Sequence, residues 1–112
     1  MIRKLSKEIH QNAREKGWWP EGDDDVNNIP EKLALIHSEI SESLEEYRDN
    51  MLQAGIYFSG NGKPEGFGIE LADAVIRIFD LAEYLQIDIQ ECIEVKMDYN
   101  KTRPLRHGGK RC

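Results

Sequence analysis

The sequence predicts an all-α fold: a small four-helix bundle that assembles into a homo-oligomer. Apolar residues recur at three- and four-residue intervals over long windows, and the stretches between those windows carry the Gly, Pro, Asn and Asp of turns. No segment of four to eight residues alternates in the β manner with β-branched content. A chain of 112 residues is the size of one folding unit, so residues 1–112 read as a single domain.

The first helix is predicted over about 3 to 16, with Leu5, Ile9 and Ala13 four apart on one side and Gly17 ending it. "WWPEGDDDVNN" follows as a loop. The second helix starts near Pro30, which suits a first turn because it lacks an N–H, and runs to about Ala54 before Gly55. Leu33, Ile36, Ile40, Leu44, Tyr47 and Met51 draw a narrow apolar seam along it, the pattern of a bundle helix. "GIYFSGNGKPEG" holds four glycines and a proline and reads as a connection in which Ile56, Tyr57 and Phe58 pack locally.

The third helix, about 67 to 85, is apolar around most of its circumference through Leu71, Ala72, Ala74, Val75, Ile78, Phe79, Leu81, Ala82 and Leu85, which predicts a central position. Its apolar arc is wider than one helical hairpin covers, so the remainder is expected to join copies into a homodimer or homotetramer. Asp88 with Glu91 three residues later forms a capping box that opens the fourth helix, which runs to about Thr102 and is stopped by Pro104. Residues 104–112, "PLRHGGKRC", are a basic tail expected to be mobile until something binds.

Composition excludes several classes. Hydrophobic residues make up 39% and charged ones 32%, and no run approaches the roughly 20 apolar residues of a membrane span. The N-terminal stretch has charges throughout and does not read as a secretion signal, so a cytoplasmic protein is expected. Cys92 and Cys112 lack the clustering of a disulfide framework or zinc site. The net charge of −6 argues against a nucleic-acid polymer as partner. Residues 96–112 nevertheless carry six Lys/Arg against one Asp, a net of +5, which leaves −11 on the first 95. Such an acidic body can still bind a polyphosphate if divalent cations stand between the two, and the basic tail can assist, so charge alone leaves this open.

"EISE" (39–42) and "ELAD" (70–73) are the sequence features that carry chemistry. Positions three apart lie about 60° apart around a helix, so Glu39 with Glu42, and Glu70 with Asp73, each form a two-carboxylate claw. Mg²⁺, with Mn²⁺ as its substitute, takes oxygen ligands in octahedral geometry and keeps places for water and phosphate. A lone E-x-x-E is ordinarily solvated surface. Glu70, Asp73, Arg77 and Asp80, however, form a charged stripe on an otherwise apolar helix, and charges there need partners or an ion. The pattern leaves solvated surface and a shared metal site as alternatives.

Lys96, Asn100 and Arg103 share one face of the fourth helix and suit phosphate and sugar, or else a solvated face whose cations favour the helix end. Arg106, His107 and Lys110 around two glycines suit a flap over phosphates or a disordered tail. Trp18 and Trp19 read first as packing anchors and second as a stacking surface for a base. Arg77 reads first as a structural ion pair and second as a phosphate contact. His10 and His37 lack a second histidine at ligand spacing and are assigned to no metal.

The strings "LIHSEISESLEEYR", "PEGFGIELADAVIRIFDLAEYLQIDI" and "KMDYNKTRPLRHGGK" together resemble the MazG-like branch of the all-α nucleoside triphosphate pyrophosphohydrolases, over about residues 3 to 111. The resemblance implies that Glu39, Glu42, Glu70 and Asp73 hold Mg²⁺. It also implies that a (deoxy)nucleoside triphosphate is hydrolysed to the monophosphate and pyrophosphate, with Glu39 or Glu42 orienting or deprotonating the water. Lys96, Asn100, Arg103, His107, Lys110 and Trp18 are then the expected substrate-binding residues. Pool control or removal of non-canonical nucleotides is the expected role. Many relatives carry two adjacent glutamates at the opening of the first motif, where this chain has Ser38. The competing class is a non-catalytic helical interaction module that uses its acidic stripes and basic tail.

Overall fold

The computed structural model describes residues 1–19, 29–49 and 55–104. The elements in order are α1 (Ile2–Glu15), α2 (Ile29–Arg48), β1 (Tyr57–Phe58), β2 (Pro64–Glu65), α3 (Phe67–Tyr84) and α4 (Ile89–Thr102). The chain is therefore predominantly helical, as the periodicity predicts. Met51, and the expected last turn of the second helix, lie outside the described residues.

The connection before α3 contains a small antiparallel pair, Tyr57 opposite Glu65 and Phe58 opposite Pro64, where the sequence predicts only a loop. Two residues per strand are too few for period-two alternation to register. The pair is closed by its turn: Ser59 N–H donates to the Lys63 carbonyl at 2.9 Å and Gly62 N–H to the Ser59 carbonyl at 2.9 Å. Just before it, the Gly55 carbonyl accepts from Gly68 N–H at 2.9 Å. A Cβ on Gly68 would stand 2.6 Å from that oxygen, so only glycine lets the first turn of α3 dock there.

α1 ends in a Schellman motif, which the sequence signals by Gly17. Gly17, at φ +84°, donates to the Arg14 carbonyl at 3.1 Å, and Trp18 N–H donates to that of Ala13 at 3.0 Å. This reversal sets the two tryptophans against α3. Trp19 is buried, stacks on Tyr84 at 3.9 Å between ring centroids, and donates Nε1–H to Asp80 at 2.9 Å. His10 Nδ1 lies 2.6 Å from the same carboxylate, and Arg14 Nε donates to His10 Nε2 at 2.9 Å. His10 therefore serves as a clasp between α1 and α3. Lys32 ties in α2, its Nζ 4.3 Å from the Trp19 ring and 3.0 Å from the Trp18 carbonyl.

α3 is central as predicted, packing against α1, α2, β2 and α4. It ends at Gln86, which takes φ +58° in a second Schellman motif with Ile87 N–H donating to Ala82 at 2.8 Å. Asp88 caps α4 by accepting from Glu91 N–H at 3.1 Å, and Arg3 holds Asp88 at 2.8 Å.

The apolar seam of α2 is turned differently from the simplest bundle. Ile36 joins the core, but Leu33, Ile40, Leu44 and Tyr47 remain 45–56% exposed, and the face that is buried carries Glu39 and Ser43. Leu71, Val75 and Ile78 of α3 are also about two-fifths exposed. In α1, Leu5 is exposed and Ser6 is buried in its place. No helix among the described residues is long and apolar enough to cross a membrane.

Candidate metal centre

The buried face of α2 meets the charged stripe of α3, and this pairing builds the site. Glu39, Glu70 and Asp73 each bring one carboxylate oxygen to within 4.8 Å of the others. At that spacing each pair of charges repels by about 3 kcal/mol at an effective dielectric of about 20. One cation is already present. Arg77, one turn after Asp73, donates Nε–H to Glu39 Oε1 at 2.8 Å, and its guanidinium lies 4.8 Å from the Trp18 ring. One guanidinium does not balance three carboxylates.

Burial sharpens the imbalance. Glu39 is only 6% exposed; its Oε2, and the Oε2 of Glu70, are buried with no hydrogen-bond partner among the described residues. Orphaned anionic oxygens of this kind are costly unless a cation or a proton reaches them. Glu70 sits in the first turn of α3, where the helix end favours its charge by about 0.3–1 kcal/mol. Burial outweighs that, and with Glu42 beside it and the charges of Asp73 and Glu39 it pushes the Glu70 carboxyl up to about 7. Burial and the Glu39 charge likewise raise Asp73, against the opposing pull of Arg77. A set made only of carboxylate oxygens, crowded and partly orphaned, fits a hard divalent cation such as Mg²⁺ or Mn²⁺.

Of the four predicted ligands the structure brings three together. Glu42 is exposed and lies outside the 4.8 Å group, although it is near enough to raise Glu70. Trp18 lines a cavity of about 230 Å³ with Asn12, Asp73, Arg77 and Asp80, so it stands beside the carboxylates. Lys96 and Arg103 do not line that cavity. They flank the Tyr99 ring at 5.0 and 5.7 Å on α4, which packs on α1 and α3 but not on α2, and Asn100 is exposed on the same helix. His107 and Lys110, like Arg106, lie outside the described residues.

Two arrangements go beyond the sequence reading: the partner of Arg77 and the joint hold of His10 and Trp19 on Asp80. The stripe on α3 signals that Arg77 and Asp80 need partners. Nothing in the spacing names residues 38, 61 and 70 positions away. Comparisons with protein-family models, curated proteins and solved structures return no match to this chain.

Proposed function

We propose that this protein is a Mg²⁺-dependent nucleoside triphosphate pyrophosphohydrolase of the MazG-like kind. It would act on the cytoplasmic nucleotide pool and release the monophosphate and pyrophosphate. The observation that carries this reading is the convergence of both acidic motifs on one partly buried, cation-poor point, with two buried carboxylate oxygens lacking a partner among the described residues. Glu39, Glu70 and Asp73 hold the metal, and Glu42 stands at its rim. When bound, such an ion polarises phosphate oxygens and acidifies a coordinated water. Glu42, exposed beside Glu70, has room next to it for a water and positions it, whereas Glu39 is buried and tied to Arg77. Trp18, half-exposed at the cavity, offers a flat apolar surface to the nucleoside.

Lys96, Asn100 and Arg103 complete the site from a second copy in a homodimer or homotetramer. This assignment is supported by their absence from the cavity beside the carboxylates and by the exposed seams of α2 and α3. The single chain is then part of a four-helix-bundle-like assembly. Calorimetry with a non-hydrolysable triphosphate tests the reading. The triphosphate should bind when Mg²⁺ is present and fail to bind when it is chelated. Binding that ignores the metal, or none at all, favours a non-catalytic interaction module.

A further inference from the structure

We propose that Arg77 forms a polyphosphate-binding subsite in the cavity beside the carboxylates, with Glu39 and Trp18 acting as the supports that orient its guanidinium. A guanidinium has five N–H donors. Here Nε–H is spent on Glu39 Oε1 at 2.8 Å, while Nη1 and Nη2 make no hydrogen bond among the described residues. The side chain is 26% exposed and lines the 230 Å³ cavity, with the Trp18 ring 4.8 Å from its central carbon. A guanidinium held at one edge and supported on one face keeps its remaining edge pre-organised for the planar, two-point contact that phosphate offers. Asn12, exposed on the same cavity wall, adds a carboxamide donor.

Two acids also line the cavity, and they set the conditions for an anion. Asp80 is occupied by His10 and by Trp19 Nε1–H. Asp73 belongs to the carboxylate cluster, whose charge Arg77 offsets only in part, so an anion beside it calls for a bound divalent cation. The ligand is therefore a metal-bound polyphosphate, not a free anion. Its metal dependence rests on the metal centre proposed above, and its identification as the chain of a nucleotide rests on the pyrophosphohydrolase reading.

The probe is inorganic tripolyphosphate, titrated calorimetrically at saturating Mg²⁺ into the wild type, Arg77→Met, Arg77→Lys and Trp18→Leu. The wild type should bind it only with Mg²⁺. Arg77→Met should weaken binding at least tenfold, as loss of a charge-assisted contact does, and Arg77→Lys should recover only part. Trp18→Leu, which keeps the Glu39 ion pair, should weaken it severalfold, and this variant decides the matter if the Arg77 substitutions unfold the chain. Mg²⁺ alone should bind Arg77→Met as tightly as the wild type or more tightly, because a competing cation has gone.

Tripolyphosphate affinity unchanged in Arg77→Met, or in Trp18→Leu where that variant decides, overturns the subsite. So does a parallel loss of Mg²⁺ affinity, which would make Arg77 only a counter-ion for Glu39. Arg77-dependent binding in a protein that turns over no nucleotide would sink the enzyme reading and leave the subsite standing. Turnover with Arg77-independent binding would do the reverse.

Discussion

At the scale of single residues, Glu70 concentrates the physics of the site. Its carboxyl is held near 7 instead of 4.5, so the metal-free fold prefers it protonated. The sign follows. A group whose folded-state pKa is raised contributes stability that is fully present below about 4.5 and is lost as pH rises through about 7. Asp73, raised for the same cause, adds in the same direction. The melting temperature of the metal-free protein should therefore fall between pH 4.5 and 7.5, and saturating Mg²⁺ should flatten that fall. Thermal melts with and without chelator check it. Glu70→Gln removes the charge that the fold disfavours, so it should raise the metal-free melting temperature at pH 8 by on the order of 4 °C per kcal/mol relieved. It should abolish the stabilisation by Mg²⁺. A variant still stabilised by Mg²⁺ as the wild type is would remove Glu70 from the metal shell.

The two glutamates of "EISE" also show where spacing stops being informative. Helix geometry correctly places Glu39 and Glu42 on one side. The roughly 60° between them is nonetheless enough to leave one buried and paired with Arg77 and the other exposed at the rim. Which of the pair is buried depends on the rotation of α2 against α3, and no local pattern fixes that rotation.

Among the elements, α3 was the most legible. Its apolar circumference predicts a central helix, and its charged stripe predicts that Arg77 and Asp80 find partners, as both do. The cap of α4 at Asp88 and the stop of α1 at Gly17 were equally readable, because both signals are local. The clasp through Asp80 was not, since it joins residues from α1, the turn after it and α3 that only the tertiary fold makes neighbours. That clasp positions Trp18 and the cavity wall. Asp80→Ala leaves the buried Trp19 Nε1–H and His10 without their acceptor and should cost about 2 kcal/mol in urea unfolding. A loss below about 0.5 kcal/mol would show that stacking of Trp19 on Tyr84 holds the turn alone.

For the whole molecule, the seam of α2 presented the sequence with an ambiguity that only packing resolves. Periodicity shows that Leu33, Ile40, Leu44 and Tyr47 share a face, but not whether their own chain covers it. Among the described residues about half of that face stays exposed, and α3 adds Leu71, Val75 and Ile78 to the exposed apolar surface. Exposed apolar seams on two helices support the proposed self-association. Sedimentation should show a dimer or tetramer for the wild type. Ile40→Glu with Leu44→Glu should give a monomer that keeps its helical signal and loses turnover. A wild type that is monomeric at assay concentration would separate α4 from the site.

The proposed activity has the two acidic motifs forming one metal centre that splits a nucleoside triphosphate at its α–β bond. The most direct measurement is the product released when pure protein is incubated with Mg²⁺ and a panel of canonical and modified (d)NTPs. Pyrophosphate and the nucleoside monophosphate are expected from at least one of them, in a reaction that chelation stops and Glu70→Gln abolishes. Orthophosphate as the sole released phosphate, or no turnover across the panel, would contradict it.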